Sequence, residues 1–165
     1  MARKVFYSFR YKYDNWRVQT IKNIGAVEGQ PLLSSNAWED VARQGDAAIK
    51  RWIDEQMRGK SCNVVLIGAH TYNRPWIEYE FKKAWSDRKG VLGIHIHKLL
   101  DSDKKPTTKG KNPFSRFTLN DGKVQFDQVV PVYDPAGNTS TAAFAVIRDN
   151  IESWVEEAIK VRSQW

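Results

Sequence analysis

The stretch CNVVLIGAHTYNRPWIEYEFKKAW, residues 62–85, decides the fold class. Its first part is a short apolar run, rich in β-branched residues and closed by Gly68, as expected of a strand buried on both faces. Asn73 suits a helix N-cap, and Pro75 suits the first turn, where a missing N–H costs nothing. With helical periodicity, Trp76, Ile77, Phe81, Ala84 and Trp85 cover one half of the cylinder, and Glu80 falls inside that half. A carboxylate on the apolar side of a helix must be paired or must line a cleft. Both readings stand at this point. Arg74, Lys82 and Lys83 are close enough in sequence to pair with Glu80, while Trp76 stacks four residues before it near the helix N-terminus. In an open α/β fold, that end lies at the carboxyl edge of the sheet, where ligands bind.

Outward from this unit the chain alternates. Residues 4–9 (KVFYSF) form a first strand, with Val5, Tyr7 and Phe9 on one face and Phe6 and Ser8 on the other. Asp14 is placed to cap a helix carrying Val18, Ile21 and Ile24 and stopped by Gly25. Residues 31–33 (PLL) make a weak second strand, and Asn36 with Glu39 resembles a capping box ahead of a helix interrupted near Gly45. Ile49, Trp52, Ile53 and Met57 have helical spacing that ends at Gly59. After the 62–85 unit come a fourth strand over 90–97, a polar loop over 98–123, a fifth strand within 123–133, and a final helix through Phe144, Ile147, Ile151, Trp154, Val155 and Ala158. Strands alternating with helices predict a parallel sheet covered on both faces.

The 165 residues fit one domain spanning 1–165, and 41% hydrophobic content is enough for one core. The single Cys62 opens a buried strand, which excludes a disulfide framework and favours a reducing cytoplasm. No apolar stretch approaches a bilayer span, and the N-terminus lacks a signal-peptide core, so the expectation is a soluble intracellular protein that does not engage membranes. The net charge of +7 is concentrated in the polar loop, in Lys104, Lys105, Lys109, Lys111 and Arg116. That segment lacks the periodicity of a groove-reading helix and the aromatics of a stacking sheet, which argues against nucleic acid. It reads as exposed and mobile, suited to recognition or assembly.

Nucleotide-binding glycine loops and paired-cysteine zinc spacings are absent from the sequence. His95 and His97 share one face of the fourth strand and His70 ends its neighbour, so a three-histidine metal site is geometrically conceivable. Alternating histidines on a buried strand are more often hydrogen-bonded packing residues, and the expectation is no metal. Cys62, at the opposite end of its strand from a ligand cleft, is not expected to act as a nucleophile.

Residues 5–10 (VFYSFR) resemble the opening strand and loop of TIR domains, and residues 64–80 resemble the TIR third strand and its following helix. In that family a Trp precedes the catalytic Glu by four; here the pair is Trp76 and Glu80. Trp38-Glu-Asp40, Gly93-Ile-His-Ile96 and residues 109–114 (KGKNPF) are similar to the standalone bacterial TIR-like proteins of the Thoeris antiphage system. The resemblance spans roughly residues 4–114, and beyond it only the final helix fits.

The resemblance implies a flavodoxin-like, three-layer sandwich with five mostly parallel strands in the order 2-1-3-4-5. It also implies cleavage of the nicotinamide–ribose bond of NAD, bound as substrate rather than as a resident cofactor, to give a linear, cyclic or conjugated ADP-ribose. Glu80 takes the catalytic position. Ser8 is placed to donate to ribose or phosphate, and Arg10 to meet the pyrophosphate or else to be a surface residue. Phe9 and Trp38 are placed to stack on a base, although strand parity buries Phe9. Trp76 walls the pocket or packs. The implied partners are a separate nucleotide-sensing effector protein and further copies of the chain. A non-catalytic assembly module of the same fold is the competing expectation.

Overall fold

The computed structural model describes residues 2–32 and 35–165, with the side chains of Ser35 and Asn36 outside the description. Its strands are β1 (Val5–Ser8), β2 (Cys62–Ile67), β3 (Gly90–His95), the two-residue β4 (Thr118–Leu119) and β5 (Val124–Gln125), and β6 (Val132–Tyr133). Its helices are α1 (Tyr11–Lys22), α2 (Ser35–Arg43), α3 (Asp46–Met57), α4 (Pro75–Ser86), the single turn α5 (Phe126–Val129) and α6 (Ser140–Ser163). The main sheet is parallel, in the order β1-β2-β3-β6.

Each residue of the first three strands is buried, because both faces of the sheet are covered. Alternation sorts them into two cores. Val5, Tyr7, Val64, Leu66, Leu92 and Ile94 pack with Val18 and Ile21 of α1 and Ile147, Ile151 and Val155 of α6. Phe6, Val65, Ile67 and Val91 pack with Ile49 and Ile53 of α3 and Ile77, Phe81 and Ala84 of α4. This is the helix–sheet–helix sandwich anticipated from the alternating pattern. Gly90 lets α6 lie close, since a Cβ there would stand 2.8 Å from the backbone nitrogen of Ile159.

Strand number and order depart from expectation at both edges. No strand forms at Pro31 or Leu32, and Leu33 lies outside the described residues. Among the described residues, the outer edge of β1 is completed by a parallel bridge between Lys4 and Glu28 and, beyond it, by a side chain. The carboxamide of Gln30 accepts from the Tyr7 N–H at 2.8 Å and donates to the Tyr7 carbonyl at 2.9 Å. One amide thus supplies the donor and acceptor of a missing strand, which buried backbone groups require. At the other edge, the expected fifth strand over 123–133 breaks up. Asn120, Asp121 and Gly122 all adopt positive φ and turn β4 back onto β5 as a separate antiparallel pair. Phe126 and Val130 then enter the core, and only Val132 and Tyr133 reach the main sheet.

Two helix starts also differ. Asp14 does not cap α1, which begins at Tyr11 with Arg10 as its N-cap residue. Asp14 is buried in the first turn and bonded to Arg17 at 2.9 Å, and Arg17 also donates to the carbonyls of Leu99 and Lys105. The N-cap of α4 is Arg74, because Asn73 has φ of 61° and turns the chain left-handed just before Pro75. The capping box assigned to Asn36 involves a side chain outside the described residues. The lysines at 104, 105, 109 and 111 are exposed, while Gly110 is buried and packs against the Gly68 carbonyl.

Candidate active site

A cleft of about 620 Å³ opens at the carboxyl end of β1, between the N-termini of α1 and α4. The sequence-assigned residues Phe9, Arg10, Trp38, Trp76 and Glu80 all line it. Ser8 lies just beneath, 1% exposed. Strand and helix geometry explain the convergence. β1 ends at Ser8, so Phe9 and Arg10 leave the sheet and form the rim. Phe9 is half-buried: it packs against the core of Val5 and Tyr7, as strand parity predicts, and also lines the cleft. Helix α4 enters at Pro75, placing Trp76 at the mouth and Glu80 one turn deeper.

Glu80 is 9% exposed and forms no ion pair among the described residues. The cations weighed as its partners are otherwise engaged. Lys83 pairs with Asp87 at 2.9 Å, Lys82 stands 3.9 Å over the Phe117 ring, and Arg74 donates to the His70 carbonyl at 3.1 Å while lining the cleft. Burial pushes the Glu80 carboxyl up to about 8, with the neighbouring Ser8 hydroxyl acting the other way. A single carboxylate with a raised pKa at the floor of a cleft is the arrangement expected of a functional group.

The walls are aromatic. Trp52 of α3 stands edge-on to both Phe6 (6.3 Å between ring centroids) and Trp38 (5.7 Å), so three rings from different elements form one side. Phe9 and Tyr11, 6.0 Å apart, form another. The rim carries Arg10, Lys12 and Arg74, balanced in part by Glu39. The Arg10 Nε is buried without a hydrogen-bond partner among the described residues. Planar apolar walls, a largely cationic rim and one buried carboxylate fit a ligand with an aromatic ring and a phosphate group.

Sequence reasoning missed Trp52, Tyr11, Lys12 and Gln30 as cleft residues. The helical period correctly assigns Trp52 to the inward face of α3, but nothing local reveals that this face reaches the end of the sheet. Glu78, at the far border of α4, is not a bystander either: it accepts from Arg116 at 2.6 Å, and Asn73 accepts from the same guanidinium. His95 is buried, which lowers its imidazole to about 4. The main strand pairing ends at His95, opposite Ile67, so His97 lies beyond the strand to which the sequence assigned it. His70 is stacked on Tyr13 at 3.8 Å. Among the described residues, no His, Cys, Asp and Glu side chains converge as a metal site. Cys62 is fully buried, and burial pushes its thiol up, away from thiolate chemistry. No helix among the described residues is long and apolar enough to cross a membrane.

The family model for the TIR-like domain of Thoeris protein ThsB matches residues 6–101, the segment that builds β1 through β3, α4 and the cleft. The chain belongs to the Thoeris ThsB TIR-like family. Within it, the chain is similar to "Putative cyclic ADP-D-ribose synthase ThsB1" of Bacillus cereus (strain MSX-D12), at 34% identity over 119 residues. That match covers 69% of this chain and 62% of the relative, so the chain spans less than two thirds of that protein's length. The ThsB family assignment accounts for the segment in which Trp76 and Glu80 lie, and it leaves a 3₁₀ turn at Pro113–Arg116, the β4–β5 pair and α6 outside the matched residues.

Proposed function

We propose that this chain binds NAD in the cleft and breaks its nicotinamide–ribose bond, making a cyclic ADP-ribose-type signal for antiphage defence. The observation that carries the reading is Glu80, a buried carboxylate without an ion pair among the described residues, at the floor of an aromatic cleft in a ThsB-family fold. A similar protein bears the name of a cyclic ADP-ribose synthase, which supports the same chemistry.

The geometry suits this reaction for a physical reason. Nicotinamide in NAD is cationic and leaves as a neutral base, taking the bonding electron pair, so no second carboxyl is needed to protonate it; ordinary glycosidases require two. What the protein must supply is a negative charge facing the oxocarbenium-like carbon and a grip on the ribose hydroxyls. Glu80 does both in this account. The cationic nicotinamide ring of NAD favours the ionised carboxylate, so substrate binding drives off the proton that burial retains. Trp38, Trp52 and Trp76 exclude water and stack the bases, while Arg10 meets the pyrophosphate. Attack by an adenine nitrogen on the anomeric carbon gives the cyclic product and releases a proton; attack by water gives free ADP-ribose and a proton. A separate nucleotide-sensing effector would read the signal in the cytoplasm, and self-association of the chain would belong to the active state.

The test is incubation of the protein with NAD, with and without extract from phage-infected cells, followed by mass spectrometry. Release of nicotinamide with a product one water lighter than ADP-ribose supports the proposal. Intact NAD under both conditions would favour the assembly module.

A further inference from the structure

Tyr79 follows Trp76 by three residues on α4, so the two side chains meet on the helix surface. The Tyr79 ring stands edge-on to the Trp76 indole, with centroids 5.8 Å apart and planes at 80°. Its far end is held as well: the phenol donates to Asp54 Oδ1 of α3 at 2.9 Å. Tyr79 and Asp54 lie outside the residues that line the cleft, whereas Trp76 lines it. The same helix carries Trp52, whose ring meets Trp38 at 5.7 Å. Helix α3 therefore touches two tryptophan walls, Trp38 through Trp52 and Trp76 through Asp54 and Tyr79. A half-buried indole at a cleft mouth has several staggered rotamers open to it, and a fixed ring packed beside it removes some of them.

We infer that Tyr79 and Asp54 are positioning residues: Asp54 fixes the Tyr79 ring, and that ring holds the Trp76 indole in place for substrate. The inference rests on the reading of the cleft as the NAD site. It adds two residues that do not touch substrate. Packing alone does not need the bond, because a phenylalanine fills nearly the same space; the hydroxyl and its carboxylate partner add direction. Lys50 stands 5.7 Å from the centre of the Tyr79 ring and stays in every variant below. The indole presents the same apolar wall to bound NAD and to the departing nicotinamide, so the brace acts on binding and not on the chemical step.

The experiment uses protein labelled with 5-fluorotryptophan, as wild type, Tyr79→Phe, Asp54→Ala, their double variant and Asp54→Asn. The chain has seven tryptophans, and Trp76→Phe assigns the fluorine-19 NMR signal of Trp76. That signal should shift or broaden in Tyr79→Phe and Asp54→Ala, while those of the exposed Trp16 and Trp165 stay in place. ADP-ribose, measured by calorimetry, should bind roughly threefold more weakly to each. The double variant should match Tyr79→Phe, since both changes break one bond. Asp54→Asn keeps the acceptor oxygen and should restore the wild-type signal and affinity. In NAD turnover, KM should rise by the same factor with kcat unchanged. An unmoved Trp76 signal in folded Tyr79→Phe, additive effects in the double variant, or an Asp54→Asn that behaves as Asp54→Ala overturns the inference. If Asp54→Ala fails to fold, Tyr79→Phe alone decides. Signal and affinity need no turnover, so both responses in a protein that leaves NAD intact would refute the proposed cleavage while sustaining the brace. If wild type does not bind ADP-ribose, the reading of the cleft fails and the Trp76 signal decides the brace.

Discussion

Replacing Glu80 by Gln should stabilise the substrate-free protein, and increasingly so as pH rises. Burial moves the carboxyl from 4.5 to about 8. The folded state therefore holds a proton that the unfolded chain releases above 4.5, and folding stability falls as pH climbs through the window from 4.5 to about 8. Below it both states are protonated and nothing is lost; above it the full penalty applies. At 1.36 kcal/mol for each unit of pKa, that penalty is at most about 5 kcal/mol, and water reaching the carboxylate through the cleft lowers it to roughly 4. For a domain of this size each kcal/mol moves Tm by about 2–4 °C, so the variant should melt roughly 10 °C above wild type at pH 9 and within about 3 °C of it at pH 5. Gln keeps the size and shape of Glu, which isolates charge from shape. The assay is paired thermal unfolding from pH 5 to 9. Since His95 and every other titrating group are common to both proteins, their contributions cancel in the difference. A difference in Tm that does not change with pH would refute the claim that Glu80 is a desolvated acid.

Three further outcomes follow from the packing. Gln30→Leu strips the Tyr7 N–H and carbonyl of their partners and should lose about 1–3 kcal/mol in urea unfolding; a loss near zero would mean that water replaces the carboxamide. Gly110→Ala drives a Cβ into the Gly68 carbonyl and should cost about 1–3 kcal/mol, whereas Ser at Lys104, Lys105 and Lys111 should each change stability by no more than about 0.5 kcal/mol. With the opposing Glu80 titration removed in Glu80→Gln, stability should fall as pH drops from about 6.5 toward 4, because His95 is held neutral in the folded state; adding His95→Gln should flatten that limb if burial of the imidazole is its cause.

What the sequence made legible is the part governed by local period. The runs that became β2 and α4 show their burial directly, and the inward helical half of α4 already contained Glu80. Phe9, Arg10, Trp38 and Trp76 were brought into the same reading by resemblance, and they line one cleft. The failures have two sources. One is tertiary replacement of a local rule: Gln30 stands in for a strand, and Asp14, with the look of a cap, is half of a buried pair with Arg17. The other is overlooked turn chemistry, since Asn120-Asp121-Gly122 is a turn signal that divides the run before β5. Asn63, fully buried in β2 and donating to the Phe6 carbonyl and the Ser8 hydroxyl, was not singled out from the sequence. A lone polar side chain in a doubly buried strand cannot be satisfied by the sheet ladder, whose bonds are all between backbones, so it must reach another side chain or a carbonyl.

The most direct test of the central claim compares nicotinamide release from NAD by wild type, Glu80→Gln and, as a control, Glu152→Gln on the exposed face of α6, with infected-cell extract supplied. Glu78 is unsuitable as the control because it holds Arg116. Wild type and Glu152→Gln should release nicotinamide at the same rate, and Glu80→Gln should be slower by on the order of a hundredfold or more, the usual loss when one preorganised electrostatic stabiliser is removed. Equal release by wild type and folded Glu80→Gln would contradict the account.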